Sequence, residues 1–195
     1  MTLFADKNPL RMERIEQVPF RFDRGNWDSN LEFLRQLNFR AAIVGRKGSG
    51  KTTLLAELSR RLPNSHYLNL PHQRHQHAAL LAAADAAVQT GQILLVDGIE
   101  RIRWWQRERL YFSTAGRSGL VVVVHRRCRL PTWIECRTDE ELMHAVVLDL
   151  GLDEPAIQAA AMVAFRRSRG NIRDALRLMY DQFANESLRQ RSNPS

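Results

Sequence analysis

Apolar positions along the chain come in two patterns, short continuous runs and longer stretches where they recur every three or four residues. Ala-Ala-Ile-Val at 41–44, Ile-Leu-Leu-Val within 92–96 and Leu-Val-Val-Val-Val at 120–124 are runs of strand length. A strand apolar throughout, as at 120–124, is buried on both faces, which requires a parallel sheet covered by helices on both sides. Two less continuous stretches, 66–70 and 132–137, complete five expected strands. Helical spacing fills the intervals. A short helix is expected at 30–37, where Ser29 and Glu32 match a capping box ahead of Leu31, Phe33, Leu34 and Leu37. Others are expected at 52–61, 78–89 and 102–114, and one capped by Thr138 or Asp139 runs to about residue 150. Trp27, just before the first helix, is expected to pack.

Past Gly151 the pattern is helical only. Pro155 opens a helix to Arg167 with Ile157, Ala161, Ala164 and Phe165 on one face. Asn171 is the expected N-cap of the next, with Asp174 placed to answer it. Ile172, Ala175, Leu176, Met179 and Phe183 follow at i, i+3, i+4, i+7 and i+11. The predicted fold class is therefore α/β, a doubly wound, mostly parallel five-stranded sheet with helices on both faces and a small C-terminal helical lid. The expected boundaries are a lead-in and short helix at 1–38, an α/β core at 39–150, the lid at 151–186 and a polar, frayed tail at 187–195.

Composition narrows the class. A length of 195 residues suits one domain with a small appendage, and 44% hydrophobic with 26% charged residues is ordinary globular usage. No apolar run reaches bilayer-spanning length, and Asp6 and Lys7 fall where a signal peptide needs its apolar centre, so a cytoplasmic location and no membrane partner are expected. Cys128 and Cys136 form no C-x-x-C pair and are expected to be inert thiols. A net charge of +8 raises a nucleic-acid partner. Against it, the basic residues run from Arg11 to Arg191 and are nearly all arginine, with lysine only at 7, 47 and 51. A homo-oligomer and a protein partner stay open.

The chemistry lies after the first apolar run. Gly45-Arg46-Lys47-Gly48-Ser49-Gly50-Lys51-Thr52, followed by Thr53, matches G-x-x-x-x-G-K-[ST] at every fixed position, with an expected strand before it and a helix after it. That is a P-loop, and its expected ligand is ATP with Mg²⁺. Gly45, Gly48 and Gly50 let the backbone curl so that N–H groups face phosphate oxygens, and the helix N-terminus adds its own donors. Lys51 suits the β- and γ-phosphates, and the Thr52 hydroxyl suits Mg²⁺. Asp97, ending the third strand, is the acid expected to complete the Mg²⁺ site. His125 ends the fourth strand at the same edge of the sheet. His72, His75 and His77 lack the i, i+4 spacing of a helical zinc pair, and are expected to form a polar loop and a helix start.

Gly170-Asn-Ile-Arg-Asp-Ala-Leu176 resembles the sensor 2 region in the helical lid of AAA+ ATPases. The resemblance extends over the P-loop, the acid-ending (Walker B) strand, the polar residue ending the next strand and the lid. It implies that Arg173 reaches the γ-phosphate and that His125 acts as sensor 1. AAA+ proteins usually end the acid strand with Asp-Glu, whereas this chain has Asp97-Gly98-Ile99-Glu100. That arrangement is closer to the related STAND ATPases, with Arg101 where a further acid often stands. The implied catalytic set is Lys51, Glu100, His125 and Arg173, with Glu100 orienting the attacking water. Two rivals stand beside this ATPase switch. One is a P-loop kinase of a nucleotide or small molecule, with Arg126, Arg127 and Arg129 clamping its second substrate. The other is a non-hydrolysing adaptor gated by ATP.

Overall fold

The computed structural model describes residue 10, residues 14–15 and residues 18–192, of which 185–192 are described by backbone alone. Five strands form one sheet: β1 (Arg40–Gly45), β2 (Ser65–Asn69), β3 (Ile93–Asp97), β4 (Leu120–Val124) and β5 (Thr132–Cys136). Their order is β2-β3-β4-β1-β5, and every neighbouring pair is parallel. The sheet is thus wholly parallel, an α/β fold compatible with a P-loop NTPase.

Helices cover both faces for the reason that strand periodicity dictates. Successive side chains alternate between faces, so Ala42 and Val44 of β1 join Leu94, Val96, Leu120 and Val122 in one buried cluster. The cluster is closed by Ala84, Ala87 and Val88 of α3 (His77–Gln89) and Leu110 and Tyr111 of α4 (Trp104–Ser113). The residues of opposite parity, Ala41, Ile43, Leu95, Val121 and Val123, are buried as well. Their side is covered by α2 (Lys51–Arg61), which packs along β1 to β4 with Leu54, Leu55 and Leu58 buried. At the β5 edge lies α1 (Trp27–Gln36), where the Trp133 indole donates to the Asn30 carbonyl at 2.8 Å.

The first helix starts three residues before the expected Asn30. Asn26 is its N-cap: its side chain accepts from the Ser29 N–H at 3.0 Å, and the Ser29 hydroxyl accepts from the Asn26 N–H at 3.0 Å. Ser29 therefore sits inside the helix as the answering residue of a box, not at its head. Trp27 packs as expected, stacked under the Arg61 guanidinium at 3.9 Å and edge-on to Phe22 at 4.9 Å. The helix expected from residue 102 starts later, at Trp104, because a 3₁₀ turn at Ile99–Arg101 intervenes.

Compactness divides the chain into two units: 22–46 with 50–136 around the sheet, and 1–21 with 47–49 and 137–195. The second unit is built from α5 (Glu140–Asp149), α6 (Pro155–Arg167) and α7 (Ile172–Ser192). Asp139 caps α5, accepting from the Leu142 N–H at 2.8 Å. Met143 and Val147 of α5 share a core with Ala161, Ala164 and Phe165 of α6 and Ile172, Ala175, Leu176 and Met179 of α7. By packing, then, residues 140–149 go with the later helices, whereas the expected boundary fell near residue 150. α7 continues to Ser192, beyond the onset expected for a frayed tail. Among the described residues, no helix is long and apolar enough to cross a membrane.

Candidate nucleotide site

The sheet unit gathers its chemistry at the C-terminal edge of the strands, where open α/β sheets bind ligands. β1 ends at Gly45, and the loop that follows enters α2 at Lys51. Gly48 and Gly50 hold φ of +78° and +82°, the left-handed region that glycine enters without penalty. Gly45 takes no such φ, because it still belongs to the strand and pairs with Cys136 of β5. The curl thus rests on two glycines rather than three. Arg46 and Lys47 are exposed, Ser49 is buried, and Thr52 and Thr53 are half-buried in the first turn of α2.

Lys51 is a buried cation, and its Nζ donates to the Arg46 carbonyl at 2.6 Å. The ammonium is therefore folded back across its own loop. A phosphate oxygen is a better acceptor for a cation than a neutral carbonyl, so exchange onto phosphate is favourable. One residue on, the Thr52 hydroxyl donates to Asp97 Oδ2 at 2.7 Å. Residues 45 positions apart in sequence are thus brought together by the register of β1, β4 and β3. Val44 pairs with Val124, so Gly45 and His125 follow level at the ends of β1 and β4, while Val96 pairs with Val122, so Asp97 ends β3 level with Val123. A hydroxyl and a carboxylate in contact make an oxygen-only donor set, which suits a hard cation such as Mg²⁺. The residues fit the ion: Thr52 and Asp97 would hold it, and it would there neutralise phosphate charge.

Past Asp97 the chain turns sharply. Gly98 has φ of +80°, and a Cβ on it would lie 2.8 Å from the Leu70 carbonyl oxygen, so no other residue fits without movement. The turn presents Glu100 toward the end of β4, where its Oε1 lies 3.6 Å from His125 Nε2. Both side chains are half exposed. Glu100 and His125 are thus brought together as a pair, and they line a cleft with Arg107, Tyr111, Arg126 and Arg129. Cys136 was expected to be inert and is buried at the end of β5. Burial pushes its thiol up to about 12, with the nearby Lys51 ammonium opposing and Asp23 adding. Its place beside the loop follows from the pairing of β5 with β1, which no local motif shows.

The helical unit carries the remaining expected residue. Arg173 is exposed in the first turn of α7. The cap before it is as expected: Asn171 accepts from the Asp174 N–H at 3.1 Å and donates to the Asp174 carboxylate at 2.6 Å. Asn171 also lies against Gly48, a closeness that no spacing in the chain predicts. A Cβ added to Gly48, which belongs to this unit, would lie 1.8 Å from Asn171 Oδ1. Of the three clustered histidines, His77 is buried at the head of α3 with Nε2 2.8 Å from the Pro71 carbonyl oxygen, and His72 and His75 are exposed.

No protein-family model matches the chain, and no curated protein matches it.

Proposed function

We propose that the protein binds Mg·ATP on residues 45–53 and acts as an AAA+-like ATPase whose nucleotide state drives a conformational switch. The observation that carries this reading is the 2.7 Å contact between Thr52 and Asp97 beside the folded-back Lys51. Thr52 alone would suit any P-loop. Thr52 in contact with a strand-end carboxylate is the pair that a Mg²⁺-bound triphosphate requires. In this reading Lys51 moves from the Arg46 carbonyl to the β- and γ-phosphates, and the loop N–H groups cradle the phosphate chain. Glu100 orients the attacking water, His125 senses the γ-phosphate, and Arg173 contributes positive charge to it. Thr52 and Asp97 would hold Mg²⁺, which would there neutralise phosphate charge.

The test is ATP binding and phosphate release by the whole chain. Lys51→Ala should weaken ATP binding by roughly 10- to 100-fold, the scale of a lost charge-assisted hydrogen bond. Unchanged affinity in that variant would sink the reading. Glu100→Gln should leave affinity in place and lower turnover by roughly 10²-fold or more, as expected for a lost general base. Unchanged phosphate release on Glu100→Gln, with ATP still bound, would favour the non-hydrolysing adaptor. A kinase requires an acceptor, so ADP and phosphate formed without one would exclude that rival.

A further inference from the structure

A second feature of the sheet unit lies outside the P-loop. Between Arg101 and Arg129 the sequence carries eight arginines and one acid, Glu108. That segment holds an excess of seven positive charges on a chain whose formal net charge is +8, so the rest of the chain is almost balanced. The basic residues are spread, but their surplus is not. The segment comprises α4, β4 and the turn after β4, and it walls a cleft of about 480 Å³. Arg107, Tyr111, Arg126 and Arg129 line that cleft, along with Glu100 and His125. Arg129 is paired with Glu108 and Arg127 with Glu135, whereas Arg107 and Arg126 make no ion pair among the described residues.

The outward side of α4 is as unusual as its charge. Trp104 is 71% exposed, Trp105 46% and Phe112 68%, although these side chains bury well wherever a core will take them. Trp104 and Phe112 lie two i, i+4 steps apart with Glu108, held by Arg129, between them, so the two rings stand along about 12 Å of one helix face. The Arg129 guanidinium extends this face toward the cleft, lying 5.1 Å from the Tyr111 ring centre and 5.5 Å from that of Phe112. Exposed flat rings with guanidinium groups beside them match a ligand that repeats a phosphate and an aromatic base along its length. An acidic protein would satisfy the arginines but leave the rings without a repeating flat partner. A duplex would satisfy the arginines too, yet its bases are already stacked.

We propose that the face formed by α4 and the turn after β4 binds single-stranded nucleic acid, with phosphates on Arg107 and Arg126 and bases on Trp104 and Phe112. Because Glu100 and His125 line the same cleft, a bound strand lies against the residues assigned to the attacking water and the γ-phosphate. Binding of the strand itself does not rest on the ATPase reading and is measured without nucleotide.

The experiment is fluorescence anisotropy of a labelled 20-nucleotide oligothymidylate with the full chain, in the absence of ATP. Micromolar or tighter binding is expected at low salt, weakening with a log–log salt slope of about −1.4 or steeper for two or more phosphates neutralised. Arg107→Glu and Arg126→Glu should each weaken binding by about tenfold, and Trp104→Ala with Phe112→Ala by at least fivefold. Arg117→Glu makes the same charge change in the turn before β4, outside the cleft, and should alter affinity less than twofold. All five positions are exposed or half-exposed, and circular dichroism of each variant checks that the fold is kept. The proposal is overturned if the oligonucleotide fails to bind at low salt. Equal binding of a duplex or of polyglutamate, or equal losses from Arg117→Glu and Arg126→Glu, would overturn it as well.

Discussion

At the scale of single residues, Cys136 shows how the candidate site is bounded by chemistry that no motif contains. Its thiol sits at the end of β5, paired in register with Gly45, and burial holds it protonated up to about pH 12. In an unfolded chain a thiol ionises near about 8.5. The fold therefore binds more protons than the unfolded state between those values, and stability falls as pH rises across that window. Below about pH 8.5 the contribution is fully present. Tyr111, also pushed up to about 12, chiefly by burial and then by Cys128, adds in the same direction from about pH 10 upward. Melting temperature should therefore drop between about pH 9 and 10.5, and Cys136→Ala should flatten that drop by at most about 1.4 kcal/mol per pH unit. Identical pH profiles for the two proteins would mean that the thiol ionises freely in the fold. The strand, glycine loop and helix at 40–61 were legible because they depend on residue type and spacing. Cys136 was not, since its role depends on which strand lies beside β1, and pairing of β5 with β1 is set by the whole sheet.

Among the elements, the strands were the most legible and the first helix the least. Residues 120–124 and 155–167 have the expected bounds, because an unbroken β-branched run and a helix-opening proline each leave little choice. The start of α1 was misplaced for a definite reason. Ser29 with Glu32 matches the capping-box pattern in sequence, whereas Asn26 with Ser29 does not, its answering residue being neither Glu nor Gln. The Asn26–Ser29 box is the one formed, which places Trp27 in the first turn, where it meets Arg61 and Phe22. Asn26→Ala should cost about 1 kcal/mol, lowering the melting temperature by roughly 2–4 °C for a chain of this size. Glu32→Ala should cost no more than a few tenths, because its pair with Arg35 is solvent-exposed. Thermal denaturation of the two variants checks this, and the opposite ranking would place the cap at Ser29.

For the whole molecule, the same contrast between local and long-range information recurs. Fold class followed from patterning, but the strand order did not, because it depends on which edge each crossover reaches. That order sets β4, whose end leads into His125 and its neighbour Glu100, between the strand that enters the glycine-rich loop and the strand that ends in Asp97. If Mg·ATP binds there, it binds the folded chain and not the unfolded one, and must raise stability by mass action. At a ligand concentration of about 100 times the dissociation constant the gain is about 2.7 kcal/mol. For a chain of this length that is a rise of roughly 5–10 °C in melting temperature. The rise should be smaller when Mg²⁺ is chelated, since Asp97 and Thr52 then have no cation to hold against the phosphates. For Lys51→Ala, with affinity lower by roughly 10- to 100-fold, the gain at the same nucleotide concentration should shrink to about 0.4–1.4 kcal/mol. A melting curve that ignores Mg·ATP at millimolar concentration would mean that Lys51 stays on the Arg46 carbonyl, and that the loop has the shape of a phosphate cradle without the affinity of one.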